Sequence, residues 1–234
     1  MPGADPAALD LKALFRDASM FDSRSAWGAA GFLVIDRANN GKIMVARHPS
    51  VQGLLFKKYV SSFSQTGQLE NYERRIEGAK RLRDFVDKSR FDRVVVPRKW
   101  LLELPRSFFR KESYVLAVEQ LDLLGDEPTV AAYNRIDPIG LKELCTVLFH
   151  FRGMDSSAKN LPFVADGRIA FIDTEHWDRG NSKPYLHQVS EYLMADHRKL
   201  AKKIFDQLED NEDSRVGTGA FYDEDTSDSS SSSS

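Results

Sequence analysis

The sequence predicts an α+β fold, and three observations carry that prediction. Short apolar or β-branched runs crowd the first 124 residues, one long amphipathic stripe interrupts them, and the apolar runs beyond residue 137 have mainly helical spacing. Strands gathered at one end and helices at the other favour α+β over an alternating α/β pattern. The 234 residues include 15 Phe, 7 Tyr and 3 Trp, enough apolar mass for a packed core, which excludes wholesale disorder and collagen-like architecture.

Residues 9–21 have the spacing of a short amphipathic helix, within a helical extension over 1–29. GFLVID (31–36), KIMVAR (42–47) and GLLFKKYV (53–60) read as strands, with Asn40-Gly41 as a hairpin turn whose central positions tolerate positive φ. After a polar linker (61–68), Leu69, Tyr72, Ile76, Ala79, Leu82, Phe85 and Val86 form one stripe of a long helix, and its ERR and KRLRD charges are assigned to the solvated face. Residues 93–104 and 113–123 read as two more strands, with Pro97 and Pro105 marking edges or bends. Asp137-Pro138 starts a buried helix over 137–151, strand-like runs flank an Asp166-Gly167 turn, and a last helix is expected over about 184–209. Residues 210–234 are expected to form a disordered, acidic, Ser-rich tail.

Charge and cysteine use narrow the function classes. Asp206 to the end holds nine acids and one base, which leaves residues 1–205 at a net +6. A mildly basic body suits phosphate-bearing ligands, whereas the dense basic stripe and aromatic motifs of a nucleic-acid binder are missing. Cys145 is the one cysteine and lies among apolar helix positions, so it reads as a small buried hydrophobe, and the chain reads as a protein of a reducing compartment, with cytoplasmic localisation expected. No apolar run approaches the 18 to 20 or so residues of a membrane span, and a secretory signal is not expected. His48, His150, His176, His187 and His197 lack metal-ligand spacing.

Several separated features suggest chemistry when taken together. Lys57 and Lys58 end an apolar strand, and Glu73 and Glu77 follow one turn apart on the long helix. Asp155 and Asn160 share a loop with four residues between them, and the run RIAFI delivers Asp173 to another loop. This order and spacing resemble the protein-kinase-like superfamily over roughly residues 30–180, including its strand-strand-strand-helix-strand-strand small lobe. The Asp-x-Glu of FIDTEH is closest in style to small-molecule kinases of the choline and aminoglycoside type.

The resemblance implies a bilobal protein-kinase-like fold in which 30–124 form the N-lobe and hinge and 125–209 an abbreviated C-terminal lobe. It also implies an ATP-dependent phosphotransferase using Mg²⁺, with an unknown acceptor. Lys57 would contact the nucleotide phosphates and Glu77 would pair with it, while Glu119 and Leu121 belong to the hinge segment 118–124. Asp155 would be the catalytic residue facing the acceptor, and Asn160 and Asp173 would hold the metal through oxygen atoms. Adjacent strand residues face opposite ways, so one lysine enters the cleft; Lys57 is chosen because Leu55 shares its face and Phe56 goes inward, with Lys58 and Glu73 as the alternatives. His176 and Asp178 fall at the cleft mouth. The chain has no G-x-G-x-x-G loop, no His two residues before Asp155, Asp-Thr-Glu at the D-F-G position and no A-P-E. These departures support the alternative of a pseudokinase that acts as a nucleotide-binding or protein-interaction module. The Ser and Thr residues of the tail sit beside acids, a context for phosphorylation by an acid-directed kinase.

Overall fold

The computed structural model describes residues 14–15, 23–38, 43–59, 65–104, 114–178 and 186–218. In chain order the elements are α1 (Arg24–Ala29), β1 (Leu33–Ala38), β2 (Ile43–His48), β3 (Val51–Tyr59) and α2 (Gln65–Ser89). Then come β4 (Val94–Val95), β5 (Lys99–Glu103), β6 (Tyr114–Glu119), α3 (Asp126–Tyr133), α4 (Pro138–His150), β7 (Ile169–Ala170), α5 (Leu186–Ser190) and α6 (Ala195–Thr218). The fold is α+β, as predicted. A five-stranded antiparallel sheet in the order β1-β2-β3-β6-β5 occupies the first half, and helices dominate the second. The predicted Asn40-Gly41 turn, most of the 9–21 helix and the serine tail lie outside the described residues.

Period-two alternation gives the sheet two different faces. Met44, Ala46, Leu54, Phe56, Val115, Ala117 and Leu102 point one way and pack with Phe15, Trp27 and Phe32. Trp27 reaches this core because Ser23 caps α1, its Oγ accepting from the Ala26 N–H at 3.2 Å. The rings of Phe15 and Phe32 each lie 5.5 Å from that of Phe56. The other face carries Ile43, Val45, Tyr59, Leu116 and Val118, and Tyr72 of α2 covers it.

Helix α2 serves both halves of the molecule. Its N-terminal stripe, Tyr72 and Ile76, belongs to the sheet core. One to three turns on, Ala79, Leu82 and Val86 join the helical core of Leu141, Leu144, Leu148, Phe149 and Phe171. Cys145 is buried in that second core as expected, and burial pushes its thiol up to about 12.

Several elements differ from expectation. The strand predicted over 93–104 divides at Pro97: β4 pairs in parallel with β7 in a separate two-stranded sheet, and β5 joins the large one. Proline cannot donate to a ladder, so the chain changes sheets there. The 61–68 linker is shorter than predicted, since α2 begins at Gln65. No element was expected over 125–136, where α3 forms with Asp126 and Glu127 in its first turn, a placement the helix dipole favours, and with Tyr133 fully buried. The last helix is two, because the Tyr192 and Leu193 N–H groups turn back to the Val189 and Ser190 carbonyls and close a tight turn. Its second part, α6, runs on to Thr218, beyond the predicted tail boundary at 210, with Glu212 paired to Arg152. The Asp166-Gly167 turn forms where predicted, with Gly167 at φ +90°, a conformation that favours glycine.

Candidate functional site

Strand register puts two lysines on one face. Lys57 on β3 lies opposite Leu116 of β6, and Lys99 on β5 lies opposite Val118, two residues further along β6. Side chains two apart on a strand share a face, so Lys57, Lys99, Leu116 and Val118 all point toward α2 and the loop after β7. Leu55, opposite Val118, is on this face as well, while Phe56 turns to the other core.

Below that face runs the segment 172–178. The Lys99 Nζ donates to the Ile172 carbonyl at 3.0 Å and to Thr174 Oγ1 at 2.7 Å. Thr174 Oγ1 in turn donates to the Arg75 carbonyl of α2 at 2.7 Å. The Arg75 guanidinium completes the enclosure: Nη1 meets Asp173 Oδ1 at 3.0 Å, and Nη2 pairs with Glu175 Oε2. The Glu175 N–H also donates to Asp173 Oδ1, at 3.3 Å. Further out, Arg74 pairs with Asp178 at 2.7 Å and the Arg81 guanidinium lies 4.2 Å from the centre of the Trp177 ring.

Gly78 allows this contact. A Cβ at that position would lie 2.1 Å from the Thr174 carbonyl oxygen and 2.6 Å from Trp177 Cδ1, so only glycine lets the segment lie against α2.

The charges respond to one another. Burial raises the Asp173 carboxyl, but Arg75 and then Lys99 outweigh it and hold its pKa below the ordinary value. Burial lowers that of Arg75, and Asp173 and Glu175 more than restore it. Lys99 is held well below the usual lysine range, first by burial and then by the charges of Lys57 and Arg75. Tyr59 is raised, chiefly by burial, beside the same arginine. The Arg75 Nε is buried with no hydrogen-bond partner.

Asn160 lies beside this cluster through the backbone. Its carbonyl accepts from the Ile172 N–H at 3.1 Å, and the Pro162 carbonyl accepts from Ala170 N–H at 2.8 Å, so the two segments run side by side up to Asp173. Asp155 is exposed on the preceding loop, its Oδ1 accepting from the Ser157 N–H at 3.0 Å, and the Asn160 N–H donates to the Ser157 carbonyl at 2.9 Å. Glu77, by contrast, accepts from Arg81 Nε at 2.6 Å on its own helix, and Glu73 is exposed. The helix side chain that reaches Asp173 is Arg75. Glu119 accepts from the Arg98 N–H at 3.0 Å, and Leu121 lines a 580 Å³ cavity with Leu33, His48, Val51 and Gly53 at the end of the sheet.

Sequence reasoning missed Arg75, Lys99, Thr174 and Glu175. Assigning the ERR charges to the solvated face fails for Arg75, which is only 8% exposed. A signal existed, because Arg75 is three residues after Tyr72 and four before Ala79, on the apolar stripe itself. For Lys99, the signal is alternation with Leu101 in an otherwise apolar strand.

The donor set around Asp173 does not match the Mg²⁺ that the resemblance implies. Mg²⁺ prefers six oxygen ligands, and the Asp173 oxygen that should lead the set is already taken by a guanidinium. Lys57 and Lys99 add positive charge against the same carboxylate. Among the described residues no group of three or more His, Cys, Asp or Glu is placed to hold a metal. The residues as placed do not fit a dication.

No family model and no curated protein matches the chain in sequence. Among solved structures, a MAP kinase from Leishmania major is similar at a TM-score of 0.40 and 12% identity, covering 68% of this chain and 51% of its own. The chain thus spans about half the length of that kinase. A score this low does not establish a shared fold. The fold class therefore stands on the elements described above, an antiparallel sheet joined through α2 to a helical half, an arrangement consistent with a kinase-like bilobal layout.

Proposed function

We propose that the chain is a kinase-like nucleotide-binding module that takes ATP against the Lys57 face of the sheet. The observation that supports it most is the charge arrangement: Lys57 and Lys99 share one sheet face above Asp173, whose charge Arg75 already balances. Basic side chains on an apolar sheet face favour a polyanion, since charge attraction strengthens as water is excluded. Leu121 and Glu119 would flank the base at the hinge. Calorimetric titration of ATP into the full chain tests this, with Lys57→Met as the comparison. ATP should bind the wild type and lose about tenfold or more in the variant. Equal affinity for both proteins removes Lys57 from the site.

A second reading, phosphotransfer to an unknown acceptor, is favoured by the exposed Asp155 on the loop that leads to Asn160 and the Ile172 hydrogen bond. Asp155 would orient the acceptor hydroxyl and receive its proton. Turnover that disappears in Asp155→Ala while ATP affinity is kept would support this reading. No turnover by the wild type with any acceptor class leaves the binding module. No described helix is long and apolar enough to cross a membrane.

A further inference from the structure

We propose that a cavity in the helical half of the chain binds a small carboxylic acid with an apolar body, its carboxylate held by Arg93 and Arg135. The cavity measures 280 Å³ and shares no residue with the Lys57 face or with segment 172–178. That volume lies near the lower end of the range for ligand pockets, about 300 Å³, and suits a small molecule. Most of the lining is apolar: Leu124, Ile136, Phe163, Val164 and Ile169. Phe163 bridges Ile169 across one hairpin, Val164 bridges Leu123, and Ile136 comes from the turn between α3 and α4. Ile136, Phe163 and Ile169 belong to the buried helical core, so packing fixes these walls.

The charged side chains of the lining are Arg93, Arg135 and Asp137, which sum to one positive charge. Asp137 is already engaged. Its Oδ1 accepts from the Gly140 N–H at 2.7 Å as the cap of α4, and its Oδ2 lies 3.3 Å from Arg93 Nε. Arg135 donates through Nε to the Ala131 carbonyl at 3.3 Å. Among the described residues the terminal nitrogens of both arginines meet no acceptor. Asp166, on the turn beside the cavity, is taken by Arg168 at 2.6 and 2.9 Å and does not compete for them. The backbone of Arg93 is anchored: its N–H donates to the buried Glu143 carboxylate at 2.7 Å, and its carbonyl accepts from the Ile169 N–H at 2.8 Å. Paired guanidinium N–H groups match the two oxygens of a carboxylate. One negative charge also balances the lining, whereas a phosphate monoester, at about -1.5 to -2, would leave it negative. The apolar body would leave water for the walls around Leu124 and Phe163.

Titration of phenylacetate into the full chain, followed by NMR of the Ile and Val methyl groups, tests this, with phenethyl alcohol and benzyl phosphate as comparisons. Phenylacetate should shift the methyls of Ile136, Val164 and Ile169 and bind about tenfold more tightly than the alcohol, the difference expected for hydrogen bonds to a charged group. No binding at millimolar phenylacetate, or shifts confined to other parts of the chain, overturns the proposal. Equal affinity for acid and alcohol also overturns it, because the arginines then hold no anion. Benzyl phosphate bound about tenfold or more tightly than phenylacetate overturns the carboxylate assignment. Arg135 is exposed, and its Nε bonds only to a carbonyl four residues back, so Arg135→Met should fold normally. In that variant phenylacetate should bind about tenfold more weakly and the alcohol as before, and unchanged binding of the acid would overturn the role of Arg135. Should the variant not fold, the wild-type titrations still decide.

Discussion

The two faces of the five-stranded sheet are made by the same strands and stabilised by opposite physics. On one, the rings of Phe56, Trp27, Phe15 and Phe32 meet mostly edge to face, and the gain is burial of apolar area. On the other, Val45, Leu116 and Val118 surround lysines whose charges are set against Arg75, Asp173 and Glu175. The apolar face tolerates loss of one member in proportion to the atoms removed. The charged face depends on balance, so removing one group leaves its partners partly buried and without that partner.

Arg75→Met should have the largest effect, on the order of 3–5 kcal/mol of lost stability in urea unfolding, because it strands Asp173 and Glu175. Neutralising them too, in Arg75→Met/Asp173→Asn/Glu175→Gln, should recover much of that. No recovery would mean that the arginine acts through packing and not through charge. Phe56→Ala should cost a comparable amount, about 3–5 kcal/mol, and no charge substitution should rescue it. That contrast separates the two faces most sharply.

Gly78→Ala should cost roughly 1–3 kcal/mol, because the new methyl meets a backbone carbonyl that must move. The same change should lower ATP affinity, since it lifts segment 172–178 off α2. A smaller effect is expected from pH. The lowered pKa of Lys99 means that the unfolded chain binds its proton more tightly, so wild-type stability should rise relative to Lys99→Met as pH increases toward the ordinary lysine value of about 10. Parallel pH profiles for the two proteins would show that Lys99 carries no such penalty. Raised tyrosine values such as that of Tyr59 act above about pH 10 in both proteins and cancel in the difference. Smallest of all, Glu77→Ala should change stability by about 0.3–0.5 kcal/mol, as for an exposed pair one helical turn apart, and leave ATP affinity unchanged. A marked loss of ATP affinity would restore Glu77 to the site and displace Arg75 from its assigned role.

The sequence by itself determined the α+β class, the strands through Lys57, the apolar stripe of α2, the capped start of α4 and the Asp166-Gly167 turn. Each of these is written in local periodicity or in the backbone preference of one or two residues. Asp155, Asn160, Asp173 and Lys57 also stood out in the sequence as an ordered set, although spacing along the chain could not say which helix residue would meet Asp173. Only the tertiary structure decided that Arg75, and not Glu77, turns inward. The choice depends on the rotation of α2 about its axis, which Tyr72, Ile76 and Ala79 fix by packing against two cores at once. The same holds for Lys99, whose place beside Ile172 and Thr174 follows from β5 joining the far edge of the sheet after Pro97. Periodicity records which residues share a face, because it arises within one element. What that face meets is set by long-range pairing between elements distant in the chain, and no local pattern carries that information.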